Sequence, residues 1–232
     1  MYGKDNTFGG YSSVLVVRED FVLKIPDGLR PEVAAPILCA GVTTYSPMKH
    51  WGVKAGSVVG VIGTGGLGHL AAKIARAMGA DVTVFTTTKE KLDEATRLGV
   101  KGVMESDKDA LEALKMSFDF MISTIPEKHD INPFVACLKR DATIVVCGAL
   151  EKMAPVDNME MAMHRRTIGG SLIGSIAETQ EILDFCARHR IGPDVELIPI
   201  DQVNDAYDKV EKGDVRFRYV IEMASLTPGL ES

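Results

Sequence analysis

The sequence predicts an α/β protein built on a doubly wound parallel sheet. Two patterns and one bulk property carry that prediction. From Ser57 onward, short β-branched runs alternate with segments whose apolar residues recur at helical spacing. A glycine-rich hexapeptide joins the first such run to the first such helix. With 232 residues, 46% hydrophobic and 25% charged, the chain can bury a sizeable core in one large domain or in one domain and part of another.

The elements follow in chain order. Residues 12–25 are rich in Val and Leu with a loose alternation, and read as one or two short strands ended by a turn at Pro26, Asp27 and Gly28. Residues 32–49 read as helical pieces broken at Pro36 and Pro47. Ser57 to Ile62 is the first strand of the alternating region. Leu70, Ala71, Ile74, Ala75 and Met78 mark a helix that Gly79 ends. Val82 to Phe85 is the second strand. Leu92, Ala95 and Leu98 mark a helix closed by Gly99, and Gly102 to Met104 is a short third strand. Phe118 to Ile122 is a strand, 131–139 a helix, Thr143 to Cys147 a strand stopped by Gly148, and Thr167 to Ile173 a last strand. Strands alternating with helices imply right-handed crossovers and a parallel sheet covered on both faces, spanning about residues 35–176. Beyond it, Ser175 and Glu178 have capping-box spacing and open a helix to about Arg188. Val195 to Ile200 reads as a strand, 202–212 as a helix and Phe217 to Met223 as a strand, with a frayed end around Pro228 and Gly229.

Charge and composition exclude several function classes. The net charge is −6 and there is no basic stripe, which argues against a nucleic-acid partner. No apolar run approaches the ~20 residues that span a bilayer, so no membrane partner is expected. The first ten residues are polar and glycine-rich, unlike a signal peptide. The four cysteines, Cys39, Cys137, Cys147 and Cys186, lie far apart without a CxxC, and read as buried reduced thiols in a cytoplasmic protein.

The motif that carries chemistry is Gly63-Thr64-Gly65-Gly66-Leu67-Gly68. It follows a predicted strand and opens a predicted helix, the setting of a Rossmann-type dinucleotide fingerprint. Gly63 permits the tight turn, Gly65 lets a pyrophosphate approach the backbone, and Gly68 allows close helix–strand packing. The free N–H groups of the helix start then face the anion. An NAD site places Asp or Glu at the end of the second strand. Here that strand runs on into Thr86-Thr87-Thr88-Lys89-Glu90-Lys91. Hydroxyls and two lysines, Lys89 and Lys91, suit a 2′-phosphate, so NADP(H) is expected over NAD(H). The plainer reading, in which Lys89 and Lys91 are solvated charges at a helix start, stays open.

These residues belong to a wider pattern. Gly9-Gly10-Tyr11-Ser12, Leu38-Cys39-Ala40-Gly41-Val42-Thr43-Thr44-Tyr45-Ser46, the glycine loop, Phe85 to Thr88, Leu138-Lys139-Arg140-Asp141, Gly170 to Ser175, and Gly213 to Tyr219 occur in order. With them the chain resembles the zinc-dependent medium-chain alcohol dehydrogenases, in the cinnamyl-alcohol-dehydrogenase-like branch of NADP-dependent aldehyde reductases, from about Thr7 to Met223. The resemblance implies a Rossmann domain at 35–176. It implies that 1–34 and 177–232 are remnant pieces of a barrel-like (GroES-like) catalytic domain. It further implies an aldehyde or alcohol substrate, NADP(H) as cofactor, and a homodimer paired through the edge strand at Thr167 to Ile173. For the nicotinamide end it implies Thr43, then Ser123, Thr124 and Ile125 after the fourth strand, Cys147 and Gly148 after the next, and Ser171, Gly174 and Ser175. Arg218 is implied at the pyrophosphate.

The family's zinc is where the chain departs. Of its catalytic ligands (an early Cys, a Gly-His-Glu segment and the Cys of Leu-Cys-Ala-Gly) only Cys39 is present. The four-cysteine structural cluster is absent too, so the chain is expected to open inside the family's catalytic domain. One thiolate cannot hold a catalytic zinc, which takes about three protein ligands. Cys39 is thus a candidate catalytic and metal residue only if other ligands are supplied, and without them a small buried thiol. His50, His69, His129, His164 and His189 lack ligand spacing with it and read as surface or satisfied histidines. The first functional reading is an NADP(H)-dependent alcohol dehydrogenase or aldehyde reductase, incomplete for catalysis in this chain. The alternatives are a non-catalytic NADP(H)-binding dimeric module and a zinc-free medium-chain reductase. The last ranks lowest, because Leu-Cys-Ala-Gly belongs to the zinc branch. Truncation would leave 12–25 and the tail with exposed apolar surface and an open sheet edge.

Overall fold

The computed structural model describes residues 10–148, 151–212 and 218–226. Six parallel strands, β1 (Val58–Ile62), β2 (Asp81–Thr86), β3 (Lys101–Met104), β4 (Phe118–Ser123), β5 (Leu138–Val146) and β6 (Thr167–Gly170), form one sheet in the order β3-β2-β1-β4-β5-β6. Order reverses beside β1, where β2 pairs on one side and β4 on the other. In open α/β sheets the crevice outside the carboxyl ends of the strands at such a point receives ligands.

Both faces of the sheet are buried, and this explains why its strands are nearly continuous apolar runs. Val59, Val61, Val84, Phe120 and Ile122 point into one core, which Leu70 and Ile74 of α3 (Gly66–Ala77) and Ile182 of α8 (Ile176–His189) complete. Ile62, Phe85, Phe118, Met121 and Ile144 point into the other, against Phe134 and Val135 of α6 (Asn132–Cys137). Between these, α4 (Lys89–Arg97), α5 (Lys108–Ala113) and α7 (Asn158–His164) fill the crossovers. After α8 come β7 (Glu196–Pro199), α9 (Val203–Glu211) and β8 (Tyr219–Glu222), with β7 and β8 forming a separate two-stranded parallel sheet.

Several sequence expectations are corrected. Residues 12–25 are not strands: apart from one 3-10 turn at Glu19–Phe21 they lack regular structure, and Val14, Val16 and Val22 are exposed. Extended chain becomes a strand only beside a partner, and among the described residues none pairs with it. Lys24 is instead held by Gln180 of α8, its N–H donating to Oε1 and its carbonyl accepting from Nε2, both at 2.9 Å. Pro36 and Pro47 do not break the helical region. Helix α1 (Pro31–Pro36) runs through a π-turn at Ile37–Gly41 into α2 (Val42–His50). Each proline removes one helical N–H donor, and the helical path nevertheless continues past both. The helix expected over 131–139 ends at Cys137, because Leu138 already joins the ladder opposite Phe118. The strand expected over 167–173 ends at Gly170. Helices α5 and α7, too short for a clear period, went unmarked in the sequence. The last strand begins at Tyr219; Phe217, the 213–217 segment, Gly9, Pro228 and Gly229 lie outside the described residues.

Candidate functional site

The glycine loop connects β1 to α3 and lies between the carboxyl ends of β2 and β4. Gly63 takes φ 88°, the left-handed region that glycine enters without steric cost, and its N–H donates to the Phe85 carbonyl at 3.0 Å. A Cβ on Gly68 would sit 2.0 Å from the Gly63 carbonyl oxygen, so no other residue fits there. A Cβ on Gly65 would meet nothing within 4 Å, so the backbone is open on that side. Gly65 is the N-cap of α3 and has no side chain to cap it. The first N–H groups of the helix are therefore left to whatever anion approaches.

Arg218 lies over this helix start. A Cβ on Gly66 would meet its Nε at 2.8 Å. That Nε is buried and has no hydrogen-bond partner among the described residues. A buried guanidinium N–H left unpaired costs free energy, and a bound anion would relieve that cost.

At the end of β2 the three threonines have separated roles. Thr86 is buried, its hydroxyl 3.3 Å from that of Thr64 in the glycine loop. Thr87 is exposed. Thr88 is the N-cap of α4, its hydroxyl accepting from the Lys91 N–H at 3.4 Å. Glu90 lies in the first turn of α4, where its own backbone N–H and then the Thr88 hydroxyl hold its carboxyl below the ordinary range. Glu105, which the sequence reading did not single out, arrives at the same corner from β3, its N–H donating to the Thr86 carbonyl at 2.9 Å. No local signal marks it, since its position depends on β3 pairing with β2.

The far side of the crevice is formed by β4, β5 and the segment after β6. Thr124 donates its hydroxyl to the Ile62 carbonyl at 2.9 Å, and Ile125 packs toward Gly63. Ser123 is fully buried, and its Oγ lies 2.9 Å from His129 Nε2. His129 Nδ1 faces the Glu127 carbonyl at 2.9 Å, which can only accept, so Nδ1 donates there while Nε2 meets the Ser123 hydroxyl. His129 is thus the satisfied histidine that its spacing suggested. His69 is buried with Nε2 3.5 Å from Asp194, while His50 and His189 are exposed. Gly148 crosses so close to Thr124 that a Cβ would come within 2.5 Å of its carbonyl oxygen. Cys147 is buried, with its thiol 3.7 Å from the carbonyl of buried Thr43 in α2. The Ser171 N–H donates to Val146, and Gly174 presses against Val42 and Ser46 of α2. Ser175 is committed to the α8 cap, its hydroxyl accepting from Glu178. Thus α2, the β4 and β5 ends and residues 171–175 meet beside the glycine loop.

Cys39 departs from the buried thiol expected of it. It is exposed on the π-turn, whereas Cys137, Cys147 and Cys186 are buried. Among the described residues no group of three or more His, Cys, Asp or Glu could hold a metal ion. No helix among them is long and apolar enough to cross a membrane.

Residues 66–188 match the family model "Zinc-binding dehydrogenase". The chain is 46% identical over 221 residues to the NADP-dependent alcohol dehydrogenase C 1 of Mycolicibacterium smegmatis, covering 95% of this chain and 63% of that protein. It is 47% identical over 227 residues to the aldehyde reductase YahK of Escherichia coli, covering 96% and 64%. Among solved structures, a cinnamyl alcohol dehydrogenase of Sorghum bicolor superposes with a TM-score of 0.83 at 38% identity, over 92% of this chain and 61% of that one. The Helicobacter pylori cinnamyl alcohol dehydrogenase, complexed with NADP(H), gives 0.80 at 38% identity, over 90% and 60%. The chain therefore spans 63 and 64% of the length of these curated relatives.

Proposed function

The chain belongs to the zinc-binding dehydrogenase family, and from that membership we propose that its crevice binds NADP(H). The whole protein would transfer hydride between NADPH and an aldehyde or primary alcohol. The observation that carries the proposal is the helix start at Gly65 and Gly66, open to an anion and overhung by an Arg218 Nε that has no hydrogen-bond partner among the described residues. The donor set there, backbone N–H groups and a guanidinium, suits a pyrophosphate.

The residues of this chain then divide the work. Gly68 brings α3 close to β1, so its first N–H groups point at the diphosphate. Arg218 donates to the same group. Thr87 and Lys91, on the solvent side of the β2 end, receive the 2′-phosphate, while Thr86 and Thr88 keep structural bonds. Thr43, Cys147, Gly148, Ser171 and Gly174 flank the nicotinamide end, and Ser123, Thr124 and Ile125 shape the crevice between the two ends. Bound NADPH supplies the hydride, and the protein supplies its orientation.

Zinc is different. Cys39 belongs to no group of three or more possible ligands among the described residues, so the residues present do not make a zinc site. That observation favours a second reading for this chain by itself, a module that binds NADP(H) without turnover. We extend the proposal to three features that the family suggests: remnant catalytic-domain pieces at 1–34 and 177–232, a homodimer through the outer edge of β6, and a cytoplasmic location.

Calorimetric titration tests the core of this reading. NADPH is expected to bind more tightly than NADH, and Gly68→Ala to lose both, since the added methyl strikes the Gly63 carbonyl. Binding of neither dinucleotide by the unaltered chain overturns the proposal. Turnover of an aldehyde with zinc present would set aside the second reading.

A further inference from the structure

The corner where β2 and β3 end holds a carboxylate that the glycine motif and its usual partner do not account for. The Glu105 N–H donates to Thr86, so the residue lies one strand spacing, about 4.8 Å, from the β2 end. Its Oε1 is buried and has no hydrogen-bond partner among the described residues. Lys91, whose N–H is bonded to the Thr88 hydroxyl in the first turn of α4, and His129, in the loop after β4, both favour the charged form of the carboxyl. His129 is already bonded on both nitrogens, so it gives Glu105 charge influence but no donor. Burial pushes the Glu105 carboxyl above the ordinary range, with His129 and Lys91 opposing.

We propose that Glu105, set against Lys91, fixes how strongly this site discriminates between a 2′-phosphorylated and an unphosphorylated adenosine ribose. The inference rests on the dinucleotide reading above. A ribose lying at the β2 end would present its 2′ position near exposed Thr87, with Lys91 in the first turn of α4 and Glu105 one strand away. A 2′-hydroxyl can donate to the unpartnered Glu105 oxygen. A 2′-phosphate is repelled by that carboxylate and attracted by the Lys91 ammonium. An acidic residue on β2 itself would be the usual device for choosing the hydroxyl. Here the carboxylate comes from the neighbouring strand instead, and a lysine opposes it. The preference for NADP(H) is therefore narrower than the threonines and lysine alone would set.

The experiment measures the affinities of the whole chain for NADPH and NADH by calorimetry, in wild type, E105Q and K91Q. E105Q keeps the shape and removes the charge. It should raise the NADPH-to-NADH affinity ratio about tenfold, the size expected when one unit charge is removed near a phosphate in a partly solvated site. K91Q should lower the ratio. The E105Q gain should shrink on going from about 0.01 M to 1 M salt, as screening predicts. Should E105Q fail to fold, E105S carries the same expectation. A ratio within twofold of wild type in the folded variant overturns the inference while leaving NADP(H) binding in place. Wild type binding neither dinucleotide overturns the dinucleotide reading and this inference together.

Discussion

Cys39 stands in solvent, while burial pushes the Cys137 thiol up to about 11 and those of Cys147 and Cys186 up to about 12. The thiolate is the reactive form, so three of the four thiols are both shielded and protonated at pH 8. A disulfide reagent should therefore titrate one equivalent in the native chain and four after denaturation, and Cys39→Ser should abolish the native reaction. Two or more fast equivalents in the native protein would contradict the burial described. At this scale the sequence was informative where backbone geometry makes the demand. The roles of Gly63 and Gly68 could be read from spacing, because a positive φ and a 2.0 Å approach admit only glycine. Cys39, Glu105 and His129 could not be placed that way. Whether a thiol faces out, or where a carboxylate stands, depends on which segments the fold brings together.

Helix α8 shows what local chemistry settles by itself. Its capping box is legible as Ser175 and Glu178. It forms as read: the Ser175 hydroxyl accepts from the Glu178 N–H at 3.1 Å, and Glu178 Oε2 accepts from the Ser175 N–H at 2.8 Å. Ser175→Ala should cost about 1 kcal/mol of stability, measurable by denaturant melts. The Ser175 N–H, then the Ser46 and Ser175 hydroxyls, hold the Glu178 carboxyl below the ordinary range. Its contribution is thus complete above the unfolded value of about 4.3 and is lost as pH falls through the depressed folded value. Glu178→Gln should destabilise the chain at pH 7, and the difference should vanish in acid once pH has fallen through the depressed folded value. A difference that persists unchanged in acid would show that the carboxylate is not the source. Elements without such local signals were misread. Residues 12–25 have strand composition, but a strand needs a partner. Residues 171–173 continue the apolar run of β6, yet Ile173 takes φ 54° and the ladder ends.

On the scale of the molecule, β6 is the sheet's terminal strand, and Leu172 and Ile173 beyond it are exposed at 77% and 53%. An open edge beside exposed apolar side chains favours pairing with a second copy. The proposed dimer should sediment at twice the 25.1 kDa of the chain, and Leu172→Glu should shift it to the single mass. A monomer at all concentrations would remove the dimer from the proposal. The apolar surface expected on 12–25 is present, with Val16 at 89% exposure. By itself the sequence determined the alternation of strands and helices, the phosphate-facing loop between β1 and α3, and the α8 cap. Each of these follows from periodicity, glycine stereochemistry or hydrogen bonds within a few residues. Only the tertiary structure decided that Arg218 overhangs Gly66, that Glu105 stands beside Thr86, and that 12–25 finds no ladder among the described residues. Those outcomes depend on which distant segments the sheet order brings together, and no local pattern records that order.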